Sequence, residues 1–270
     1  MELGAEPDEL EKVALEIVRS AGALLINRPE KLTVETKSSA VDVVTEMDRA
    51  SEELVRQYLA SKRPGDGLIG EEGSTVASTS GITWILDPID GTVNYLYGLP
   101  GWNISIAAQR DGVTLAGAVF APFLFGGALW SAHKGGGAWL RKNGGEMIAL
   151  RANADVPLER ALLATGFSYS TEIRTRQGAR FAALIPQVRD IRRMGAAAVD
   201  LCLVASGMVD GYFEEELNPW DLAAGELIAT EAGALVTNGV GGPAGRDMVV
   251  AAHPTLHGEI LALLSRVARG

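Results

Sequence analysis

Residues 83–92 read TWILDPIDGT, and the four apolar or β-branched residues that begin this stretch predict a short strand. Asp87 and Asp90 follow this strand, on either side of Pro88 and just before Gly91, so both carboxylates are expected to point toward the same site. Gly91 allows a ligand to approach the backbone closely, and if a helix starts here, the free N–H groups of Gly91 and Thr92 suit a phosphate. In the alternative interpretation the stretch is a strand-end turn whose aspartates and threonine only cap a helix.

Three further acidic groups lie beside turn or helix-start signals: Asp42 with Asp48, Glu71 with Glu72, and Asp221 behind Trp220. For each group the alternative is a solvated surface charge or a helix cap. Adjacent carboxylates repel each other, so acids that are held together away from water need a cation. The pattern therefore indicates a cation site if the groups converge in space.

A two-metal site could be built from four of these acids, namely Glu71, Asp87, Asp90 and Asp221. Mg²⁺ prefers oxygen ligands in octahedral geometry and is held by a few carboxylates together with waters and substrate phosphate. Such a site clamps phosphate oxygens and lowers the pKa of a water, which makes that water a nucleophile near neutral pH. Zinc is disfavoured, because the three His residues and Cys202 show no tetrahedral ligand spacing.

The chain has 270 residues, a formal net charge of −10, 47% hydrophobic residues and a single cysteine. These values describe a globular protein with a sizeable core and no disulfide framework, for which a reducing compartment is expected. A chain this acidic repels nucleic-acid backbones unless one face is locally basic, so we expect no nucleic-acid partner. We also expect no membrane association and a cytoplasmic location, because the amino terminus does not resemble a signal peptide and the apolar residues 116–130 are too few to span a membrane.

Hydrophobic periodicity predicts a mixed α/β protein. Apolar residues from Leu10 to Leu25 recur at helical spacing, a second helix is expected to begin near Asp48, and short strands follow up to the glycines at 135–137. Beyond residue 152 the predicted elements alternate, with strands over 162–165 and 190–194 and helices over 175–184, 197–205 and 221–232. We expect an N-terminal α+β half, residues 1–150, with most metal ligands, and a C-terminal α/β half, residues 151–270, with Asp221 and the substrate contacts, in one compact unit.

These motifs resemble those of the inositol monophosphatase family. In chain order the matching segments are DVVTEMD (42–48), GEE (70–72), WILDPIDGTVN (84–94), GLP (98–100), WDLAAG (220–225) and EAG (231–233). They extend over most of the chain, and the long acidic segment with a distant Trp-Asp is highly specific. The resemblance implies a layered α/β/α/β/α sandwich of the sugar-phosphatase type, assembled as a homodimer.

The resemblance also implies which residues bind metal and activate water. Two or three Mg²⁺ ions per subunit would be held by Glu71, Asp87, the backbone carbonyl of Ile89, Asp90 and Asp221, with Glu72 nearby in the acidic shell. Asp48 and Thr92 would form a carboxylate–hydroxyl pair that orients and activates the attacking water, and Glu71 is also counted among the catalytic residues.

The substrate contacts that the resemblance implies are Asp90, Gly91, Thr92, Gly195, Ala196, Ala197 and Glu214. Gly91 and Thr92 would bind the phosphate through backbone N–H groups, and Glu214 stands at the position that touches inositol hydroxyls in similar proteins. Ala196 departs from the pattern, because many relatives carry Ser or Thr there. The missing hydroxyl contact is worth about 0.5–1.5 kcal/mol, which is enough to bias the choice of substrate.

The remaining conspicuous residues are interpreted as structural. Cys202 lies in an apolar helical segment and is expected to be a buried, inert thiol. The histidines at 133, 253 and 257 are separate in sequence from the acidic groups. The short basic cluster of Arg189, Arg192 and Arg193 is interpreted as a strand edge or a subunit contact.

The expected function is therefore a Mg²⁺-dependent phosphatase that hydrolyses a small polyol phosphate, inositol monophosphate first, without a phosphoenzyme. The same chemistry could act on histidinol phosphate, fructose 1,6-bisphosphate or adenosine 3′,5′-bisphosphate. A nucleotide substrate would need basic or aromatic contacts near the pocket, and the sequence does not locate any. The alternative from another class is a non-catalytic regulatory protein that has kept the fold. The resemblance further implies sensitivity to lithium.

Overall fold

The computed structural model describes residues 6–37, 39 and 41–267. The prediction that the amino terminus is not a signal peptide depends partly on residues 1–5, which lie outside the described residues. The helices of the described part are α1 (Glu6–Ile26), α2 (Glu46–Lys62), α3 (Thr92–Tyr97), α4 (Thr171–Leu184), α5 (Ala197–Ala205), α6 (Pro219–Glu231) and α7 (Pro254–Val267).

The strands are short and most of them are antiparallel to their neighbours. They are β1 (Val34–Thr36), β2 (Val43–Thr45), β3 (Gly67–Gly70), β4 (Thr75–Val76), β5 (Thr83–Asp90), β6 (Asn103–Arg110), β7 (Val113–Ala121), β8 (Ala128–His133), β9 (Ala138–Lys142), β10 (Met147–Ala149), β11 (Leu162–Thr165), β12 (Asp190–Arg192), β13 (Gly211–Glu214), β14 (Leu235–Thr237) and β15 (Val249–Ala252). Strands β1 and β2 form a separate two-stranded ribbon.

The first large sheet has eight strands in the order β10-β9-β8-β7-β6-β5-β3-β4. Strands β3 and β5 are parallel, whereas β5 and β6 are antiparallel. Because β3 and β5 run in the same direction, the residues that follow them emerge at the same edge of the sheet. The pairing of β5 with β6 shifts register between Asp87 and Asp90, so the carboxyl end of β5 is bulged where its acids lie.

The second sheet has five strands in the order β12-β11-β13-β15-β14. Strand β11 is parallel to both β12 and β13, and β15 is antiparallel to β13 and β14. The carboxyl ends of β11, β12 and β13 therefore share one edge, and the chain leaves that edge through the segments 166–170, 193–196 and 215–218.

The helices separate and cover the two sheets in five layers. Helices α1 and α2 cover the outer face of the first sheet, α5 and α6 fill the space between the sheets, and α4 and α7 lie on the outer side of the second sheet. The order is α/β/α/β/α, so the predicted mixed α/β layered sandwich is confirmed.

Apolar periodicity explains the outermost helix. Leu10, Ile17 and Leu25 of α1 are fully buried on one face, together with Ala14 and Val18. Helix α2 begins at a capping box in which the Thr45 hydroxyl accepts from the Met47 N–H and the Asp48 carboxylate accepts from the Thr45 N–H.

Several predicted elements match the structure and others do not. The strand at 162–165 and the helix at 197–205 have the predicted bounds. The strand predicted over 190–194 ends at Arg192, and the helix predicted from residue 175 begins at Thr171. Strands β13, β14 and β15 and helix α7 were not predicted, and the division of the chain at residue 150 stays a prediction.

Among the described residues, no helix combines the length and the apolar character that crossing a membrane requires.

Close packing between the two central helices requires a glycine in α6. A Cβ on Gly225 would come within 2.8 Å of Leu201 Cδ1 and 2.9 Å of its Cβ, on the facing helix α5. Gly178 in α4 is the matched control, because a Cβ there would meet nothing within 4 Å.

We predict opposite effects for alanine at these two glycines. Gly225→Ala should lower the free energy of unfolding by about 1–3 kcal/mol, because it forces α5 and α6 apart. Gly178→Ala should raise it by roughly 0.5–1 kcal/mol, because alanine is the better helix former. Urea denaturation of the two variants measures both changes. Equal changes in the free energy of unfolding would show that the close contact between α5 and α6 does not require glycine at 225.

Candidate active site

The carboxyl end of β5 places two acids in the interior. Asp87 is 1% exposed and Asp90 is 7% exposed. The N–H of Ile89 donates to Asp87 Oδ1 at 3.0 Å, which turns the chain so that both carboxylates reach the same cavity. The Ile89 carbonyl lies on the same turn and faces Thr92.

The amino end of α5 holds Asp90 in place. The N–H groups of Ala197 and Ala198 donate to the two oxygens of Asp90 at 3.2 and 2.8 Å, and Asn103 Nδ2 donates at 2.9 Å. These bonds join the first sheet to the central helices at the site. They also engage the Ala197 N–H, which was predicted to contact substrate.

Gly91 adopts a left-handed conformation, with φ of 83°, and starts the short helix α3. A Cβ at Gly91 would lie 3.0 Å from the Gly195 carbonyl oxygen and 3.2 Å from Ala196 Cβ. The predicted substrate segment 195–197 therefore packs directly against the predicted phosphate-binding turn, and both line one cavity.

Asp48 and Thr92 meet, although 44 residues separate them in sequence. Thr92 Oγ1 lies 3.2 Å from Asp48 Oδ1 and 3.0 Å from the Ile89 carbonyl oxygen, so its single proton goes to one of them. The other oxygen of Asp48 accepts from the N–H and the hydroxyl of Thr45 at 2.8 and 2.6 Å. Burial raises the pKa of Asp48 despite these bonds.

Glu71 directly follows β3, the strand that is parallel to β5, and the Glu71 N–H donates to the Leu86 carbonyl at 3.2 Å. Its side chain contacts the carboxyl group of Asp87 and lies 2.8 Å from Lys37 Nζ. Lys37 also forms an ion pair with Glu72. Burial lowers the pKa of Lys37, but the two glutamates outweigh it and raise that pKa above its usual range. This lysine was not predicted from the sequence.

The buried Glu52 fixes the turn that carries these glutamates. Its carboxylate accepts from the N–H groups of Glu72 and Ser74 at 2.9 and 2.8 Å. Gly70 permits this approach, since a Cβ there would lie 2.2 Å from Glu52 Oε2.

Asp221 reaches the cavity from the first turn of α6. One of its oxygens accepts from the Asn218 N–H at 2.6 Å, in a capping box that also includes the Asn218 side chain. Asp221 therefore both caps α6 and lines the cavity. The alternative interpretation of this residue as a helix cap is correct, but it does not describe its position in the cavity.

Burial and mutual repulsion dominate the electrostatics of these acids. Burial raises the pKa of Asp87 well above its usual range, and Glu71, Asp90 and Asp221 raise it further. The pKa of Asp221 is raised for the same reasons. Burial also raises the pKa of Asp90 to about 6, against the lowering effect of its N–H donors.

Such an arrangement fits a bound divalent cation. Its carboxylate and carbonyl oxygens are the donors that Mg²⁺ prefers, and a cation would relieve the repulsion among them. None of the described residues that line the cavity is His or Cys, which is unfavourable for zinc. Glu71, Asp87, Ile89, Asp90 and Asp221 are the residues that could hold the ions.

The cavity has a volume of about 560 Å³ and opens between the two sheets. Glu214 lines it at the end of β13, and its carboxylate accepts from the Tyr212 hydroxyl at 2.7 Å. Burial raises the pKa of Glu214 to about 7, although Tyr212 and Arg193 act in the other direction. A Cβ at Gly166 would overlap the Glu214 carboxylate, so this glycine makes room for it.

Basic and aromatic residues also line the cavity, which corrects the expectation from sequence that none could be located there. They are Lys37, Phe167, Tyr169, Arg193, Trp220 and Arg246. The cluster of Arg189, Arg192 and Arg193 was interpreted as a strand edge or a subunit contact. Arg192 ends β12, which is the edge strand of the second sheet, whereas Arg193 lies beyond β12 and lines the cavity. The subunit contact stays a prediction.

Residues interpreted as structural lie elsewhere. Cys202 is fully buried in α5, and burial raises the pKa of its thiol well above the usual range. His133 Nδ1 lies 2.5 Å from Glu11 Oε2, so this histidine pairs with an acid of α1 instead of the site. His257 Nε2 lies 2.9 Å from the Thr237 hydroxyl in the interior.

Asp200 is a buried acid that the sequence analysis missed. It lies on α5 and is 1% exposed, and neither carboxylate oxygen has a hydrogen-bond partner among the described residues. Burial raises the pKa of Asp200 well above its usual range, and Glu214 and Asp90 raise it further. A single charged residue in an apolar helical segment was the available signal, but helical spacing does not tell whether an acid points to solvent.

Because burial raises the pKa of Asp200 in the folded protein, the pH-dependent part of its cost to stability is absent below the unfolded pKa of about 3.9 and grows as pH rises above it. Asp200→Asn should therefore raise the free energy of unfolding at pH 8 by about 1–3 kcal/mol, and the gain should shrink as pH falls toward about 4. Urea denaturation across that pH range measures it.

Asp210→Asn is the control for this prediction, because Asp210 accepts from Asn153 Nδ2 at 2.8 Å and from the Leu162 N–H at 2.7 Å. It should be destabilising at pH 8. A stabilising effect of equal size in both variants would show that general charge reduction, and not the isolation of Asp200, is responsible.

Comparison with known proteins agrees with this geometry. Residues 6–269 match the family described as the inositol monophosphatase family. A protein of Mycobacterium leprae named inositol-1-monophosphatase is 43% identical over 281 residues, covering 97% of this chain and 95% of the relative. A protein of Pasteurella multocida named Nus factor SuhB is 38% identical, covering 92% of this chain and 93% of the relative.

A solved structure of SuhB from Mycobacterium tuberculosis superposes with a TM-score of 0.83 at 42% sequence identity, and the match covers 98% of each chain. Both the sequence matches and this superposition extend over nearly the whole chain. The chain therefore belongs to the inositol monophosphatase family.

Proposed function

We propose that this protein is a Mg²⁺-dependent phosphatase that hydrolyses a small polyol phosphate, with inositol monophosphate as the first candidate, to the free polyol and inorganic phosphate. The observation that carries the proposal is the convergence of Glu71, Asp87, Asp90 and Asp221 on one cavity that also contains Thr92. Family membership supports phosphatase chemistry, and the relatives named inositol-1-monophosphatase support the substrate.

Bound Mg²⁺ would supply neutralisation of the phosphate oxygens and a lowered pKa for the attacking water. Glu71, Asp87, the Ile89 carbonyl, Asp90 and Asp221 would hold two or three ions, and Lys37 would balance the charge of Glu71 and Glu72. The N–H groups of Gly91 and Thr92 would bind a phosphate oxygen at the start of α3.

The chain would take the proton of the attacking water through Thr92 and Asp48. Thr92 donates its hydroxyl proton to Asp48, and its oxygen can then accept a proton from the water. Asp48 suits this role because Thr45 fixes one of its oxygens and the raised pKa makes the other a better base. Formation of the new P–O bond would break the ester bond in line, and solvent water in the open cavity would protonate the leaving oxygen as the polyol departs.

Release of phosphate from four substrates tests the function. The panel is inositol 1-phosphate, fructose 1,6-bisphosphate, histidinol phosphate and adenosine 3′,5′-bisphosphate, each with and without Mg²⁺. Mg²⁺-dependent turnover of inositol 1-phosphate is the expected result. Preference for another substrate would keep the mechanism and change the substrate class, whereas no turnover by folded protein would refute the proposal for this panel.

A regulatory role without catalysis is the second candidate, and the name of the Pasteurella relative supports it. The formal net charge of −10 opposes direct binding to nucleic acid, so a protein partner would fit better. A variant without catalysis that keeps its partner distinguishes this role from the enzyme.

The homodimer, the sensitivity to lithium and the cytoplasmic location stay predictions. Li⁺ would act by replacing one Mg²⁺ after cleavage and retaining the product phosphate.

Asp87→Asn should raise the stability of the metal-free protein and lower its activity. It keeps an acceptor for the Ile89 N–H but removes one of the repelling charges, so the metal-free protein should melt at a higher temperature than the wild type. Phosphate release should fall by at least about a thousandfold, because a metal ligand is lost. Thermal melts with and without Mg²⁺ should show a metal-induced rise in the wild type that shrinks in the variant. A full rise in the variant would contradict the ligand assignment.

Thr92→Ala should lower kcat by about 10²–10⁴-fold, because it removes the hydroxyl that passes the proton to Asp48. Thr92→Ser is the matched variant and should recover most of the activity. The Mg²⁺-induced rise in melting temperature should remain in both, which separates water activation from metal binding. If Thr92→Ala keeps full activity, the water is activated elsewhere.

A further inference from the structure

Apart from the acids at the end of β5 and the start of α6, several charged side chains that line the cavity form ion pairs. Glu215 accepts from Arg176 and Arg180 at 3.3 Å each, and Arg246 donates to Glu216 at 3.0 Å and to Asn218 at 3.1 Å. Because these charges neutralise each other, Glu215, Glu216 and Arg246 offer little net charge to a ligand.

Arg193 and Glu214 differ from those pairs. Arg193 is exposed, lines the cavity and forms no hydrogen bond or ion pair with a described residue. Glu214 accepts from the Tyr212 hydroxyl, but no cation of the described chain lies within 4 Å of it. The two side chains are nevertheless close enough for Arg193 to stabilise the Glu214 carboxylate electrostatically.

The guanidinium lies next to the predicted phosphate-binding turn. Arg193 Nη1 occupies the space 2.3 Å from where a Cβ on Gly195 would lie, so the guanidinium rests on the Gly195 backbone. The carbonyl of Gly195 in turn packs on Gly91. A phosphate ester bound at Gly91 would therefore extend its leaving group past Gly195, toward Arg193 and Glu214.

Arg193 and Glu214 together favour one ligand chemistry. Arg193 can only donate hydrogen bonds, and the Glu214 carboxylate, whose ionised form the nearby Arg193 favours, can only accept them. Hydroxyl groups do both, so a polyol can bridge the two side chains. A second phosphate would accept from Arg193 but would be repelled by Glu214, and an apolar group would leave both side chains without a partner.

We propose that Arg193 is a specificity-determining residue that binds a hydroxyl of the substrate's leaving group, opposite Glu214. This inference rests on the proposed function and narrows it to polyol monophosphates. It assigns to Arg193 a contact that the family resemblance did not supply.

The test compares Arg193→Ala with the wild type on inositol 1-phosphate and on phenyl phosphate, whose leaving group has no second hydroxyl. We expect kcat/KM for inositol 1-phosphate to fall by about 10–100-fold, mostly through KM, since one charged hydrogen bond is lost. For phenyl phosphate we expect a change of less than about twofold. Arg193→Lys should recover part of the loss, because it keeps the charge but not the planar pair of donors.

Three results would overturn the inference. Equal losses on both substrates would mean that Arg193 acts on the phosphate or on the fold. A larger loss on fructose 1,6-bisphosphate than on inositol 1-phosphate would make Arg193 a site for a second anion. A changed sedimentation coefficient of Arg193→Ala would indicate the subunit contact that its basic cluster first suggested.

A double-mutant cycle supplies an independent readout. In a Glu214→Gln background the loss caused by Arg193→Ala on inositol 1-phosphate should be smaller, because one diol couples the two side chains. Additive losses would contradict a shared ligand group. If the wild type hydrolyses phenyl phosphate but no polyol phosphate, the polyol assignment fails together with the inference, whereas no turnover of either substrate refutes the phosphatase itself.

Discussion

The repulsion among carboxylates at the end of β5 is the constraint on which the rest of the site depends. Asp87 is almost fully buried, contacts Glu71 and lies close enough to Asp90 and Asp221 for each to raise its pKa. Keeping such charges together costs stability unless a cation joins them. Apolar contacts elsewhere must offset that cost, and the buried apolar residues that pack between the five layers provide them.

Three of the acids at the site also form hydrogen bonds at the N-terminus of a helix. Asp90 accepts from the first N–H groups of α5, Asp221 caps α6, and Asp48 completes the capping box of α2. Helix N-termini favour negative charge, so the same backbone groups that orient the acids also lower the cost of ionising them. This explains why a capping interpretation and a catalytic interpretation of these residues could not be separated by inspection of the sequence.

The parts of the site that sequence reasoning found are those fixed by local pattern. The strand before Asp87, the turn at Gly91 and the helix after Asp221 all have neighbouring signals in the chain, and their acids meet as expected. The cavity position of Arg193 and the burial of Asp200 were not predicted, because both depend on which segments converge. Nothing near Arg193 in sequence shows that it lines the same cavity as Glu214, and the helical spacing of Asp200 looks the same whether it faces solvent or the core. Likewise β14 and β15 are antiparallel additions to a parallel group, and their short sequences carry little periodicity.

The separation of the acids along the chain has a consequence for how the protein matures. Glu71 and Asp87 come from neighbouring parallel strands of the first sheet, whereas Asp221 enters from a helix between the sheets, far later in the sequence. A chain that has formed only its first sheet would have Glu71 and Asp87 in place, but Asp221 would still be absent from the proposed ligand set. With the proposed ligands, tight ion binding would coincide with the final docking of the layers, and the ion would stabilise fully folded molecules over partly folded ones by mass action. During synthesis, when amino-terminal segments emerge first, a nascent chain would gain this stabilisation only at the end.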